Sequence, residues 1–384
     1  MSFRLEPPLP GTTLLAWRNL AHDRARFAVT LVGVLFSVVL MGAQMGLLVG
    51  FAQTASGLVD AAGADLWITP VGTTNVDIAA SLAERRRHQA LAVPGVARAD
   101  PYMVQFAFWR KPGGGTESVI MVGYELVSGR GGPWRLDGVS PDALKVDDAV
   151  IIDRLYADKL GVRASGDTVE INNRRARVVG FTDGIRTFTQ SPYVFATHTN
   201  AQHFTLVDAD RTTYVLVDVA DGHDSETVRA ALAARLDDVE VWHARDFARQ
   251  TQTYWLVTTG AGGALLLAAS LGLVVGIVIV GQTLYATTVD RLPEYATLRA
   301  MGAPNTYLYT VILKQAAIAA VLGFTLGALA VLVLGLGSTR SNIALATPFW
   351  LIALLGALTA AMCALGAIVS IRRVMRIDPT SVFA

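Results

Sequence analysis

The side chains best suited to chemistry are few in this sequence, and their spacing argues against catalysis. Its 384 residues hold four lysines, Lys111, Lys145, Lys159 and Lys314, and none stands in a Gly-Lys-Ser or Gly-Lys-Thr context. A phosphate-cradling loop needs that lysine behind a glycine-rich turn, so the chain has no P-loop of its own for ATP. His198 and His203 stand five apart, in a stretch read as a loop, with no third ligand or orienting partner in view. Metal-ligating histidines need both. Neither His-Glu-x-x-His nor Gly-x-Ser-x-Gly occurs, which removes the commonest zinc hydrolase and serine hydrolase signatures. No catalytic residue, metal or cofactor is therefore expected on this chain. The single cysteine, Cys363, lies in an apolar block and excludes an intrachain disulfide. A net charge of +1 leaves no electrostatic footprint for nucleic acid.

One stretch has the residue types of a docking element. In Asp290-Arg-Leu-Pro-Glu-Tyr-Ala-Thr-Leu-Arg-Ala-Met-Gly-Ala-Pro304, Pro293 suits a first helical position and Glu294 complements the helix dipole. Arg299 suits a last turn, Gly302 a left-handed stop, and Pro304 blocks continuation. The spacing predicts a capped helix of about two to three turns. Leu292, Tyr295 and Leu298 fall close to one face that a partner would bury. The residues alone leave two readings open, a docking helix or a turn that merely connects two apolar segments.

The elements around that stretch are membrane spans. Hydrophobic residues make up 52% of the chain and charged residues 16%, against about 25% charged in ordinary soluble proteins. The deficit is concentrated in four blocks, each long enough for a hydrocarbon core that needs about 20 apolar residues. The expected layout is a leading segment at 1–26, a first span with a stalk extension at 27–59, and a domain at 60–249. A stalk and second span follow at 250–282, a loop at 283–312 and a third span at 313–337. A short loop at 338–348, a fourth span at 349–371 and a tail at 372–384 complete it. The fold class is thus an α-helical membrane protein with four transmembrane helices and one α+β domain inserted between the first and second. Arg4, Arg18, Arg24 and Arg26 precede the first span, Arg291 and Arg299 lie between the second and third, and Arg372, Arg373 and Arg376 follow the fourth. Positive flanks stay in the cytoplasm, which puts both termini inside and the 60–249 domain outside.

The uncharged polar residues Gln53, Thr54 and Ser56, and those from Gln250 to Tyr254, read as helices continuing beyond the bilayer. A flexible linker is the alternative, although Gly57 is the one glycine in those stretches. Gly42, Gly46 and Gly50, Gly272 and Gly276, and Gly323 and Gly327 recur at helix-packing spacing. Such rows let helix backbones approach closely and are compatible with a homodimer.

In the inserted domain, Asp65–Thr69 reads as a strand, Ser81–Leu91 as a helix with Arg85, Arg86 and Arg87 on a solvated face, and Val104–Trp109 with Glu117–Val122 as a hairpin. A strand at Ala149–Ile152 with a helix to Leu160, and a hairpin turning at Asn172-Asn173, follow. Tyr214–Val219, a helix from Ser225 to Leu236 and Val239–Trp242 close the domain. Phe106, Phe108, Trp109 and Trp134 suit either a contact surface or the core.

Several segments, taken in order, resemble one family. Leu292-Pro-Glu-Tyr-Ala-Thr-Leu-Arg-Ala-Met-Gly302 resembles the cytoplasmic loop of FtsX-like/MacB-like ABC transporter permeases, most closely the DevC-type branch. Trp17-Arg-Asn-Leu20 is similar to the family's segment before the first span, and Ala149-Val-Ile-Ile-Asp-Arg, Gly166-Asp-Thr-Val-Glu-Ile171 and Arg177-Val-Val-Gly180 to its periplasmic core. Arg376-Ile-Asp-Pro-Thr-Ser-Val-Phe383 resembles its tail. The resemblance implies a homodimeric permease in the bacterial inner membrane, working with a separate cytoplasmic ATPase that holds ATP and Mg. It implies that the ATPase is met at a coupling helix comprising Leu292, Pro293, Glu294, Tyr295, Thr297, Leu298, Arg299, Met301 and Gly302. It further implies a periplasmic membrane-fusion adaptor and an outer-membrane channel, with efflux of a lipid, glycolipid, peptide or drug-like substrate. A lipoprotein-release permease and an FtsX-like regulator of a cell-wall hydrolase are the alternatives within the family. A receptor with an external sensor is the alternative outside it, and it expects a cytoplasmic output domain where only a short tail follows Ile371.

Overall fold

A computed structural model describes residues 11–300, 304–338 and 341–374. The chain starts with α1 (Thr12–His22) and turns at Asp23, whose carboxylate accepts the Arg26 backbone N–H at 3.1 Å and so starts α2 (Arg24–Ala61). The inserted domain then runs through β1 (Leu66–Pro70), β2 (Leu82–Ala83), α3 (Arg85–Leu91), β3 (Val96–Arg110), β4 (Thr116–Tyr124), β5 (Ala149–Asp153) and α4 (Ala157–Leu160). It continues with β6 (Thr168–Ile171), β7 (Arg174–Thr182), β8 (Tyr193–Thr197), α5 (His198–Thr205), β9 (Arg211–Thr212), β10 (Tyr214–Val219), α6 (Ser225–Arg235), β11 (Val239–His243) and α7 (Ala244–Thr253). A π-helical turn, Tyr254–Thr258, precedes α8 (Ala261–Asp290), α9 (Leu292–Ala300), α10 (Asn305–Ser338) and α11 (Phe349–Val374).

Four helices, α2, α8, α10 and α11, are long and apolar enough to cross a membrane. The chain divides into two compact units, one built mainly from these helices and one comprising residues 49–263 with 337–344. At about 1.5 Å per residue, the 38 residues of α2 extend about 57 Å, well beyond a hydrocarbon core of about 30 Å. The expected helical continuation of the first span is present. That of the second is not a single helix: α7 runs directly into the π-turn, but a break at Gly260, whose φ of +77° is left-handed, separates both from α8.

Within the helical unit, the glycine rows are filled by neighbours of the same chain. A methyl group on Gly42 would strike Val331 and Leu355, one on Gly276 would strike Met362, and one on Gly272 would press on Leu40 and Met41. The Gly46 carbonyl accepts the Ala346 N–H at 3.1 Å. In the other unit, Gly50 lies against the backbone of Ala344. Gly42, Gly272 and Gly276 thus pack spans of the same chain together, while Gly46 and Gly50 meet residues 344–346 before α11.

The inserted domain is a mixed sheet that closes on itself in part. Its order is β11-β1-β10-β3-β4-β8-β5-β7-β6, and an additional pairing of β3 with β6 (Trp109 opposite Ile171, Arg110 opposite Glu170) closes the last six strands into a barrel. Alternation at period two fills the barrel with Ala107, Trp109, Met121, Val150, Ile152, Ile171 and Val178. The same alternation leaves Phe106 and Phe108 outside and exposed, so Trp109 is core while the two phenylalanines are surface. Trp134 is half-buried and packs edge-on against Phe195. The remaining strands β10, β1 and β11 carry α3 and α6 on one face through Ile68, Val215, Val217, Val228 and Leu232. Their other face holds Trp67, Tyr102, Tyr214 and Phe247, and the end of α2 enters that core through Leu58 and Val59.

The hairpins appear where they were expected, the second turning through Asn172 and Asn173 at φ of 49° and 63°. Two expectations differ. The Ser81–Leu91 segment begins as β2, paired with β9, and becomes helical at Arg85. His198 and His203 lie on α5, a helix that was not foreseen and that follows the equally unforeseen β8 directly, with the last β8 residue, Thr197, as its N-cap. Arg86 and Arg87 are also more engaged than a solvated face implies: Arg86 pairs with Asp238 at 3.7 Å, and Arg87 donates to the Ala99 carbonyl at 2.9 Å.

Candidate functional site

Two clusters, one in each unit, bring together side chains that are remote in sequence. The first centres on α9. Arg291, between α8 and α9, donates to Glu294 at 3.0 Å and to the Asn19 side-chain carbonyl of α1 at 2.9 Å. The Asn19 amide in turn donates to the Tyr295 hydroxyl at 3.1 Å. Asn19 and Tyr295 are both buried, and burial raises the Tyr295 phenol above its ordinary value. Lys314 of α10 donates to the hydroxyls of Thr12 and Thr13 at 2.7 and 2.6 Å, and Arg26 pairs with Asp290. Helix α1 is thus a brace that joins α9, α10 and, through the turn at Asp23, α2.

The burial of Tyr295 changes which face of α9 is available. Pro293, Glu294 and Thr297 are exposed, while Leu292 and Leu298 are half-buried and Tyr295 faces inward. An outward face formed by Leu292, Tyr295 and Leu298 is therefore not what the fold presents. Arg299 lies in α9, but its side chain, together with Met301 and Gly302, lies outside the described residues.

The second cluster surrounds the stalk. The C-terminus of α2 is gripped by the Glu125–Pro133 loop: Arg130 donates to the Gly63 carbonyl and pairs with Asp218 at 3.0 Å, and the Gly131 N–H donates to the Ala62 carbonyl at 3.0 Å. A cation at the end of a helix complements its dipole. Gly131, at φ +71°, lies flat against the Tyr102 ring and leaves no room for a Cβ. On the other side, Gln252 of α7 donates to Ser56 of α2 at 2.8 Å. Phe188, from the loop between β7 and β8, fits between Phe51 at 5.3 Å and Trp255 at 4.9 Å, ring centre to ring centre. Two residues before it, Arg186 donates to the carbonyls of Ser338, the last residue of α10, at 3.2 Å and of Ser341, which follows it, at 3.0 Å. The Trp255 indole donates to the Asp77 carboxylate at 3.1 Å.

Of these junction residues, the sequence pointed to Ser56 and Gln252, as polar residues of the helical extensions. Arg130 had a signal in the sequence, the run Ser128-Gly-Arg-Gly-Gly-Pro133, which marks a loop that approaches other backbone closely. Asp77 had a weaker one, a lone carboxylate between Val76 and Ile78. Phe188, Trp255 and Arg186 had none, since their partners are remote in sequence.

No group of three or more His, Cys, Asp or Glu among the described residues is placed to hold a metal ion. The His198 ring is buried and bonded to the Thr212 hydroxyl at 3.1 Å, and burial pushes its pKa down to about 4. His203 lies against Arg174. His198 is thus part of the packed domain, while His203 is exposed.

Comparison with known proteins adds the following. Residues 27–235 match the sequence pattern of the MacB-like periplasmic core domain, and residues 252–379 that of the FtsX-like permease C-terminal domain. The chain is 24% identical over 377 residues to a protein of Mycobacterium bovis named as an ABC transporter permease, covering 96% of this chain and 98% of that one. It is also 24% identical over 380 residues to a Mycobacterium tuberculosis protein of the same description, with the same coverage. Among solved structures, the periplasmic region of MacB from Actinobacillus actinomycetemcomitans aligns at 12% identity and a TM-score of 0.38, covering 49% of this chain and 92% of that one. The extracellular domain of the noncanonic ABC-type transporter YknZ from Gram-positive bacteria aligns at 16% identity and a TM-score of 0.35, covering 47% and 99%.

Proposed function

Because the chain belongs to the ABC transporter permeases that join a MacB-like periplasmic core domain to an FtsX-like permease C-terminal domain, we propose that it is a mechanotransmitting subunit of an ATP-driven exporter. In this reading a homodimer of the chain works with a separate cytoplasmic ATPase, which binds ATP and Mg. Helix α9 receives the closure of that ATPase on the exposed face of Pro293, Glu294 and Thr297. The Arg291–Asn19–Tyr295 network, in which Asn19 and Tyr295 are buried, passes the displacement to α1 and from there to α2. Work is done in the inserted domain, on a lipid, glycolipid, peptide or drug-like substrate that need not pass between the spans. A membrane-fusion adaptor and an outer-membrane channel, as in the DevC-type branch, are the proposed further partners.

The observation that carries this reading is α2. It is one uninterrupted helix of 38 residues, joined near its start to the α9 brace and held at its end by Arg130 and Gly131. A rod fastened at both ends transmits displacement, whereas a flexible linker would dissipate it.

The test is a charge reversal on the exposed face of α9. Glu294→Arg with Thr297→Arg should reduce permease-stimulated ATP hydrolysis by the cognate ATPase on the order of tenfold, the loss expected when about 1.4 kcal/mol of an interface is removed. Membrane insertion should be unchanged, because neither side chain is buried. Full stimulation by the double variant would overturn the assignment of α9 as the receiving surface.

A further inference from the structure

Helix α1 has two unlike faces. Ala16, Asn19 and Leu20 are buried against the chain, and Asn19 there joins Arg291 and Tyr295. The opposite face carries Leu14, Trp17 and Ala21, at i, i+3 and i+7, and all three are exposed. Leu14 is 51% exposed and Trp17 49%. A helix bathed in water on that side would carry polar residues there.

The contacts along α1 fix the level at which it lies. At its start, Thr12 and Thr13 receive the Lys314 ammonium at 2.7 and 2.6 Å. Lys314 is the last charge before the run of α10 from Gln315 to Ser338, and so marks the polar edge of that span. At its other end the chain turns at Asp23 into α2, where Arg26, paired with Asp290, is the last charge before Phe27. Between the two, the Trp17 ring meets the Phe27 ring edge-on, with 6.4 Å between centres. Eleven residues of helix cover about 16 Å, and both ends of that length stand at the edges of spans. Helix α1 therefore runs along the membrane surface. Trp17 lies level with the first residue of the charge-free run of α2, the depth at which tryptophan collects in membrane proteins.

The charge around this face is of one sign. Arg18 borders it and Arg24 follows the turn at Asp23, and both are exposed. Helix α1 contains no Asp or Glu, and Asp23 is taken by Arg26. Among the described residues no carboxylate forms an ion pair with Arg18 or Arg24.

We propose that the outward face of α1 is a binding surface for anionic phospholipid, in which Leu14, Trp17 and Ala21 enter the boundary between headgroups and acyl chains while Arg18 and Arg24 meet the lipid phosphates. The apolar face is short and one of its three residues is alanine, so it buries too little area to hold neutral lipid tightly, and charge decides the binding. Each cation near an anionic leaflet strengthens binding about fivefold, and the two together on the order of thirtyfold. A protein partner is the other occupant such a face could take. The level of α1 decides against it, because a face at the edge of the spans is met first by lipid. Lipid seated on the outer face presses the Asn19 face of the same helix onto α9 and α10.

The test uses the full chain in nanodiscs of phosphatidylcholine alone and of phosphatidylcholine partly replaced by phosphatidylglycerol. Neither ATPase nor substrate is present, so lipid binding is read independently of any transport. Amide hydrogen exchange at residues 14–21 should slow at least about tenfold when the acidic lipid is present, while the barrel strands keep their rates. Arg18→Gln with Arg24→Gln should remove this response and leave the fold intact, since neither side chain is buried. Leu14→Gln should speed exchange of α1 in both lipids. Equal exchange of the native protein in the two lipids, a response that survives in the double variant, or no effect of Leu14→Gln would overturn the proposal. So would protection that ignores lipid charge and appears only when the cognate ATPase is added.

Discussion

Tyr295 and Asn19 illustrate how single residues here serve the fold before they serve a partner. Tyr295 lies in the stretch that most resembles a coupling helix, and its aromatic ring is of the kind that anchors interfaces. In the folded chain it is buried, with its hydroxyl accepting from Asn19. Asn19→Ala would leave that hydroxyl and one Arg291 donor without their partner. A buried polar group left unsatisfied costs about 1–3 kcal/mol. The midpoint of thermal unfolding of the detergent-purified protein should fall accordingly, and an unchanged midpoint would show that the network is dispensable. The sequence foretold that α9 exists, because caps and spacing are local signals. It could not foretell which face of α9 is free, because that depends on α1, which precedes it by about 270 residues in the chain.

The elements divide by how firmly they are fixed. Helix α2 ends in a core of Leu58, Val59, Trp67, Tyr102 and Phe247, and its last carbonyls are met by Arg130 and Gly131. The path into α8 is instead two short pieces, α7 and the π-turn, ending in a left-handed break at Gly260. The two connections are unequal, one a rod and the other jointed. Arg130→Met would remove a cation from a helix C-terminus and the partner of Asp218, a loss of about 1 kcal/mol. Hydrogen exchange should quicken at the amides of Leu58–Ala62 while the barrel strands keep their protection. The continuity of α2 was legible from uncharged polar residues with a single glycine among them. The break at Gly260 had a signal in Gly260, Gly262 and Gly263 that glycine's ordinary frequency in membrane helices masks, and the π-turn before it has no composition of its own.

For the whole molecule, the open question is orientation. The pairing of Arg26 with Asp290 brings the start of α2 and the end of α8 together, as two antiparallel spans require. In the proposed orientation, which rests on the positive flanks, that side faces the cytoplasm. The single native cysteine is buried, so introduced thiols can be read against a low background. Gly222→Cys, in an exposed turn of the inserted domain, should react with a membrane-impermeant thiol reagent applied to intact cells. Thr297→Cys, on the exposed face of α9, should react only after the membrane is opened. The reverse pattern would invert the topology.

The amino-acid sequence by itself determined the four spans, the inserted α+β domain and the absence of a P-loop. Each follows from composition and short-range spacing: apolar runs of bilayer length, period-two alternation, and a lysine that is not where phosphate binding needs it. Tertiary structure alone decided how strands remote in sequence close into a barrel through β3 and β6. It also decided that the glycine rows pack the chain against itself, that Tyr295 faces inward, and that Asp77 meets Trp255 from 178 residues away. Those outcomes depend on which surfaces meet. A contact between distant segments is set by the packing of everything between them, and no local pattern encodes it.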